Sequence, residues 1–304
     1  MTTAVRRVVT LLPAATEIVA ALGAGSSLVG VSHECDYPEW VTRLPRLTTT
    51  PIDPNAAPAR IDEEVRRLRA ENRPVIGLDV GALRRLDPDL ILTQGLCEVC
   101  AVADGEVHRL AALFDPAPDI ISLTATTLSG IRSDIRRIAE ALGLVGSARR
   151  LIESLNQRLT RLSSGAPSPP GPRVVCVEWL EPLYLAGHWV PELVAAAGGQ
   201  DVGARAGDHS TVRSWHDVAE LEPDIIVVML CGFGVERAMR DLNAVADPVA
   251  TPLLHHVPVW VLDGNAYTSR PGPRVVDGAE RIQAALQDRE MPGLRRWRPA
   301  QRAA

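Results

Sequence analysis

Cysteine and histidine side chains concentrate at two places in the first third of the sequence. Cys97 and Cys100 form a Cys-x-x-Cys pair, and Cys35 lies two residues after His33. Thiolate and imidazole groups are the ligands that zinc prefers, which makes Cys35, Cys97 and Cys100 candidate metal ligands. A closed zinc site needs four ligands, and the sequence has no second Cys-x-x-Cys pair. A zinc or iron site is therefore one hypothesis, and a reduced thiol pair is the alternative.

Other signatures of catalysis are missing from the sequence. It contains no nucleophile elbow, no phosphate-binding glycine loop and no His-Glu-x-x-His pair. An enzyme built on this chain would therefore depend on the three cysteines as metal ligands, with Glu98 or His33 as the acid or base. The odd total of five cysteines favours a reducing compartment over a disulfide framework.

Aromatic and polar side chains follow four short apolar runs that we interpret as parallel strands. These predicted strands cover residues 28–31, 90–93, 173–177 and 259–262, the last strand that we predict. Ligands of open α/β sheets bind outside the carboxyl ends of the strands, where flat aromatic side chains suit a planar molecule. Aromatic residues make up only 4% of the chain, so their concentration in these loops is informative. The candidate binding residues in the loops are His33, Tyr37, Trp40, Leu96, Glu178, Trp179, Trp189, Asn265, Tyr267 and Arg270.

Several of these side chains have a simpler interpretation. Trp179 and Trp189 could cap a hydrophobic core, because large apolar groups favour burial. Trp215 follows a serine N-cap and is expected to pack. Arg270 suits either a local carboxylate or an anionic group of a ligand. Cys176 lies inside a predicted strand and is expected to be an inert core thiol.

The chain contains a diverged internal repeat. Residues 86–92 (Leu-Asp-Pro-Asp-Leu-Ile-Leu) match residues 221–227 (Leu-Glu-Pro-Asp-Ile-Ile-Val), and residues 17–23 match residues 192–198. Both halves also contain a strand that begins Arg-Val-Val, at Arg7 and at Arg173. Two matches in the same order predict two similar strand–helix lobes.

Composition and apolar spacing set the domain organisation. The chain has 304 residues, 46% hydrophobic content and a net charge of −5, which argues against a nucleic-acid partner. No apolar run is long enough to span a bilayer, so we expect no membrane insertion. We expect an N-terminal α/β lobe over residues 1–125, a connecting helical segment over 126–165, a C-terminal α/β lobe over 170–290 and a tail over 291–304.

The first 24 residues resemble a signal peptide only superficially. Two arginines precede an apolar stretch, but Pro13 and Glu17 interrupt it. The pattern of the same residues also fits a first strand over 7–12 followed by a helix. We therefore expect a cytoplasmic protein, or a periplasmic one if export uses an unrecognised route.

The sequence as a whole resembles the class III, helical-backbone substrate-binding proteins of ABC importers for cobalamin and iron chelates. The resemblance is closest to the cobalamin-binding branch. The segments that carry it are residues 8–17, 32–38, 87–102, 179–199 and 263–278.

This resemblance implies an α/β fold with two Rossmann-like lobes, central parallel sheets, a long connecting helix and a ligand cleft between the lobes. It implies binding of cobalamin or a related corrinoid, without catalysis, and an ABC transporter permease as partner. The residues it assigns to the site are Pro13, Tyr37, Trp40, Trp179, Trp189, Phe233, Tyr267 and Arg270. Two alternatives stay open: a cytoplasmic metal- or thiol-dependent enzyme using Cys35, Cys97 and Cys100, and an iron-chelate or haem binder.

Overall fold

The computed structural model describes residues 6–95, 102, 104–165 and 170–298. The chain divides into two compact units. Unit 1 comprises Met1–Ala56, Glu63–Ala125 and Ser129–Ser154, and unit 2 comprises Ala57–Asp62, Thr126–Leu128 and Leu155–Ala304.

Unit 1 contains a four-stranded parallel sheet with the order β2-β1-β5-β6. Its strands are β1 (Val8–Thr10), β2 (Leu28–Val31), β5 (Leu90–Gln94) and β6 (Asp119–Leu123); β3 (Thr48–Thr49) and β4 (Gly77–Leu78) form a separate antiparallel pair. The central strands β1 and β5 are mainly apolar and almost entirely buried, which is typical of parallel strands covered on both faces.

The described residues up to 165 form six α-helices. They are α1 (Pro13–Ala21), α2 (Pro58–Ala70), α3 (Val80–Leu86), α4 (Asp104–Ala111), α5 (Leu128–Ala141) and α6 (Val145–Ser164). The long connecting helix predicted from the sequence is thus two helices. The break includes Gly143, which has a φ of +69°. Glycine adopts this left-handed conformation without the penalty that a side chain would bring, so α5 can end there.

Unit 2 contains a larger mixed sheet with the order β10-β8-β7-β11-β12-β13, and β9 pairs with β7. The strands are β7 (Arg173–Leu180), β8 (Leu183–Leu185), β9 (Gln200–Asp201), β10 (Thr211–Val212), β11 (Ile225–Val228), β12 (Val259–Leu262) and β13 (Leu294–Trp297). The helices are α7 (Val190–Ala197), α8 (Trp215–Glu220), α9 (Val235–Asn243), α10 (Ala250–His256), α11 (Gly264–Tyr267) and α12 (Val275–Leu286). The centre, β7-β11-β12, is parallel, whereas β8, β10 and β13 pair antiparallel with their neighbours.

Two expectations about strands need correction. We expected Glu178 and Trp179 in a loop, but β7 continues through both residues to Leu180. The strand is extended because the chain reverses at residues 181–182 and returns as β8, which supplies backbone partners. In addition, β12 is not the final strand, because part of the predicted tail pairs with it as β13.

The internal repeat is confirmed by matching hydrogen bonds in the two units. The backbone N–H of Arg7 donates to Oδ2 of Asp89, and that of Arg173 donates to Oδ2 of Asp224, each at 2.7 Å. The guanidinium of Arg7 donates to the carbonyl of residue 86, and that of Arg173 to the carbonyl of residue 221. The acidic residues before the two prolines both have a positive φ, of 39° and 44°. The Arg and acidic-Pro signatures therefore mark the same local structure twice.

Candidate ligand-binding site

The carboxyl ends of three parallel strands meet along one edge of the unit 2 sheet. Strand β11 lies between β7 and β12, and all three run in the same direction. Trp179 lies near the end of β7, the segment 229–234 follows β11, and the segment 263–270 follows β12. Because parallel strands end at the same edge, this is the place where the fold favours ligand binding.

Aromatic rings form a wall at this edge. The ring centroids of Trp179 and Phe233 are 5.4 Å apart, with their planes at 31°. The Trp179 indole N–H donates to the carbonyl oxygen of Glu181 at 3.0 Å, which fixes the orientation of the ring. On α9, the guanidinium carbon of Arg237 lies 4.4 Å from the Phe233 centroid, and Arg237 donates to Asp241 at 2.6 Å. The Phe233 ring is thus held by a stacking contact and a cation–π contact.

Hydrogen bonds join the three strand ends. The N–H of Cys231 donates to the carbonyl oxygen of Glu178 at 2.9 Å, and the N–H of Asn265 donates to that of Phe233 at 3.2 Å. The side-chain oxygen of Asn265 accepts a hydrogen bond of 2.7 Å from Nη2 of Arg270. We refer to Glu178, Trp179, Phe233, Asn265 and Arg270 as the edge cluster.

The edge cluster depends on a close backbone approach at Gly264. A Cβ atom at this position would lie 2.2 Å from the carbonyl oxygen of Leu230, so a larger residue does not fit without a shift. The preceding residue, Asp263, caps α11 by accepting the N–H of Ala266 at 2.8 Å. Glycine and aspartate together therefore set the turn that carries Asn265 into the cluster.

Arg270 supplies a buried positive charge to the edge cluster. Its residue surface is only 6% exposed. A guanidinium carries five N–H donors in a fixed fork, which suits carbonyl, carboxylate or phosphate oxygens. The arrangement can therefore combine flat apolar contact with directed hydrogen bonds to a ligand.

Two predicted site residues of unit 2 are held by protein contacts instead. Trp189 is 6% exposed, and its indole N–H donates to the carbonyl oxygen of Thr268 at 2.9 Å. The ring of Tyr267 lies 3.5 Å from the guanidinium carbon of Arg281, and a Cβ at Gly293 would be 2.6 Å from that ring. The core-packing alternative for Trp189 fits this geometry. Both side chains support the segment 263–270 from within the fold.

In unit 1 the predicted residues differ widely in exposure. Pro13 is buried as the first residue of α1, a position that suits proline because its missing N–H needs no helical partner. Tyr37 is 46% exposed and Trp40 is 41% exposed. The Trp40 ring packs over Gly25, where a Cβ would lie 2.8 Å from two ring carbons. Tyr37 and Trp40 are therefore the exposed aromatic side chains among the predicted residues of this unit that are described.

The histidine and cysteine near the end of β2 are engaged with threonines. Nδ1 of His33 lies 2.6 Å from Oγ1 of Thr48, and burial together with the charge of Arg46 lowers the pKa of His33. Cys35 is fully buried, with its sulfur 3.1 Å from Oγ1 of Thr16. These contacts fix the loop after β2 from inside the unit.

The metal hypothesis gains no support from the structure. Leu96, Cys97, Glu98 and Cys100 lie outside the described residues. Among the residues that are described, no group of three or more His, Cys, Asp or Glu side chains is placed to hold a metal ion. Zinc or iron at the cysteines is therefore unsupported, and so is the enzyme alternative that requires it.

Two further expectations about packing are confirmed. Ser214 caps α8 in a reciprocal capping box with Asp217, and Trp215 is 6% exposed in the unit 2 core. Cys176 is 1% exposed, and burial raises the pKa of its thiol, which makes it inert.

A family model described as periplasmic binding protein matches residues 8–258. The chain belongs to the periplasmic binding protein family. The match includes the sheet of unit 1 and, in unit 2, the edge-cluster residues Trp179 and Phe233. The resemblance identified in the sequence is confirmed, and the chain is a ligand-binding, substrate-binding protein.

Relatives and solved structures agree with this assignment. The vitamin B12-binding protein of Yersinia pestis (strain Pestoides F) is 25% identical over 285 residues, covering 92% of this chain and 85% of the relative. A periplasmic haem-binding protein from Pseudomonas aeruginosa matches with a TM-score of 0.72 and 20% identity, over 98% of this chain and 99% of that chain. The periplasmic vitamin B12-binding protein of Vibrio cholerae matches with a TM-score of 0.63 and 22% identity, over 93% and 97%. The predicted fold class is thereby confirmed.

The expectation of a cytoplasmic protein is wrong. The family and the matched structures are periplasmic binding proteins. The strand and helix predicted over the first 24 residues do form, as β1 and α1, but the folding of these residues does not determine the compartment. The reducing compartment that we inferred from the odd number of cysteines is wrong for the same reason. Within the described part of the chain, no helix is long and apolar enough to cross a membrane.

Proposed function

We propose that this periplasmic binding protein binds a corrinoid such as cobalamin and delivers it to an ABC importer. The observation that carries the proposal is the similarity to a vitamin B12-binding protein over 92% of the chain. The edge cluster adds a chemical argument, because a corrin is a large, nearly planar ring with amide groups on its rim.

The contacts we assign follow from that chemistry. Trp179 and Phe233, whose centroids are 5.4 Å apart, provide flat apolar area for the ring or its apolar edge. Arg270 and Asn265 provide donors and an acceptor for peripheral amides. Glu178 belongs to the cluster through its backbone carbonyl oxygen, which accepts the N–H of Cys231.

Haem or another iron chelate is the second candidate. The aromatic wall would suit a porphyrin as well, and the buried Arg270 guanidinium would pair with its carboxylates. Several matched structures are haem-binding proteins, at identities that support the fold alone. We rank the corrinoid first because the similarity in sequence is to vitamin B12-binding proteins.

Visible-absorption titration of the purified protein with hydroxocobalamin, and separately with haemin, distinguishes the candidates. We expect a saturable spectral change with hydroxocobalamin and a weaker or no change with haemin. The opposite order would favour the haem candidate. Absence of saturable binding to both ligands at high micromolar concentration would refute the proposed function.

The two phenylalanines of the chain provide a matched pair of variants. Phe233→Leu removes the ring from the edge cluster, whereas Phe114→Leu makes the same change in the unit 1 core. We expect Phe233→Leu to weaken hydroxocobalamin binding about 2- to 12-fold, from the loss of roughly 0.5–1.5 kcal/mol of aromatic contact. Phe114→Leu should leave the affinity unchanged. Tyr37→Ala tests the unit 1 loop separately.

A further inference from the structure

Two histidines face each other in unit 2, apart from the edge cluster. His188 lies between β8 and α7, and His209 lies just before β10. Nε2 of His188 is 3.3 Å from Nδ1 of His209, and the two rings are perpendicular, with centroids 5.2 Å apart. Neither residue contributes to the site described above.

The backbone holds the two histidines together independently of their side chains. The N–H of His188 donates to the carbonyl oxygen of Asp208 at 2.6 Å, and the N–H of Gly207 donates to the carbonyl oxygen of His188 at 2.9 Å. A Cβ at Gly187 would lie 2.4 Å from the carbonyl oxygen of Asp208, so the close approach of the two loops requires glycine there. The imidazole pair is therefore preorganised.

Ser210 links the same two loops. Its Oγ accepts the N–H of Gly187 at 3.2 Å and lies 3.5 Å from Nδ1 of His188. A proton on Nδ1 of His188, directed at Ser210, leaves the Nε2 lone pair facing His209. An imidazole that turns one ring nitrogen toward a protein hydroxyl and the other toward a second imidazole has the arrangement typical of metal-binding histidines.

The spacing of the two nitrogens fits a tetrahedral metal ion. Zinc–nitrogen bonds of about 2.0–2.1 Å place two ligand nitrogens of a tetrahedral site about 3.4 Å apart. The observed 3.3 Å agrees with this value. His188 also has a φ of +54°, a backbone conformation that is unfavourable for a residue with a side chain and that accumulates at functional sites.

We propose that Nε2 of His188 and Nδ1 of His209 form an open site for Zn²⁺ or a similar borderline divalent cation. No third His, Cys, Asp or Glu completes the site among the described residues, so water or an anionic group would occupy the remaining positions. This proposal is independent of the corrinoid proposal, because none of its residues belongs to the edge cluster.

Calorimetric titration of the full-length protein with ZnCl₂ tests the proposal. We expect the double variant His188→Ala/His209→Ala to bind one equivalent of zinc fewer than the unchanged protein. The control His255→Ala/His256→Ala removes two histidines from α10 and should retain that equivalent. Ser210→Ala should weaken the same equivalent about 10- to 100-fold. MgCl₂ should give no saturable binding at this pair, since magnesium prefers oxygen ligands.

Nuclear magnetic resonance of the imidazole nitrogens provides the second readout. Zinc should shift the signals of His188 and His209 together, with the largest change at Nε2 of the first and Nδ1 of the second. An equal zinc stoichiometry in the unchanged protein and the His188/His209 double variant would overturn the proposal. It would equally be overturned if the two imidazoles gave no response to zinc in a protein that remains folded by circular dichroism.

Discussion

Asp201, at the end of β9, places a carboxyl group where its charge is poorly satisfied. Its Oδ1 accepts the N–H groups of Gly203 and Ala204, at 2.9 Å and 3.0 Å. Its Oδ2 is buried and has no hydrogen-bond partner among the described residues. Burial raises the pKa of Asp201 to about 6, from an ordinary value of 3.8.

This shift has a definite consequence for stability. In the folded protein Asp201 keeps its proton to higher pH than in the unfolded chain, so between about pH 4 and pH 6 the folded state binds more protons. The free energy of unfolding therefore falls as the pH rises through this window. The rise of the Asp201 pKa from 3.8 to about 6 corresponds to a contribution of roughly 3 kcal/mol to the free energy of unfolding. This contribution is lost in full above the folded-state pKa.

Asp201→Asn isolates this contribution, because asparagine keeps the Oδ1 acceptor and cannot ionise. We expect the free energy of unfolding of the variant, relative to that of the unchanged protein, to rise by about 2.5 kcal/mol between pH 4 and pH 8. Urea denaturation followed by circular dichroism at both pH values measures this difference. The control Asp208→Asn removes one charge from an exposed residue of the same loop. The reasoning is refuted if the Asp201→Asn difference is the same at both pH values.

Three other substitutions test the architecture of unit 2. Gly264→Ala should lower the melting temperature and weaken ligand binding, because the added Cβ would meet the carbonyl oxygen of Leu230. We expect the free energy of unfolding to fall by about 1–3 kcal/mol, and unchanged stability would contradict this prediction. Arg173→Met removes the hydrogen bonds that join the start of β7 to the turn before β11 and should cost about 1–3 kcal/mol in urea denaturation. Arg237→Gln removes the cation over the Phe233 ring, and we expect hydroxocobalamin affinity to fall about 2- to 5-fold, from about 0.5–1 kcal/mol. The melting temperature should fall as well, because the largely buried carboxylate of Asp241 loses this partner.

The sequence predicts the repeated part of the fold well because the determinants there are local. Arg7 and Arg173, each with an acidic-Pro signature downstream, form the same hydrogen bonds in the two units. The apolar runs that become β2, β5 and β12 lie within one residue of their predicted limits. The connecting helical segment expected over 126–165 also forms, as α5 and α6 with a break that includes Gly143.

The rest depends on contacts between residues that are distant along the chain. Strand β13 has two arginines at its centre and becomes a strand only because β12 offers it an edge. Trp179 belongs to β7 because β8 returns beside it. Loop conformations that no local sequence pattern specifies bring His188 next to His209 and bury Trp189 against Thr268. By contrast, Phe233 and Arg237 are only four residues apart, on either side of the start of α9, so their contact is local.

Equilibrium dialysis with cyanocobalamin tests the central claim, that the edge cluster binds a corrinoid. The unchanged protein should bind the ligand saturably, and the double variant Trp179→Leu/Phe233→Leu should bind at least about 10-fold more weakly while remaining folded. Equal affinities of the two proteins, or no saturable binding by the unchanged protein, would contradict the account.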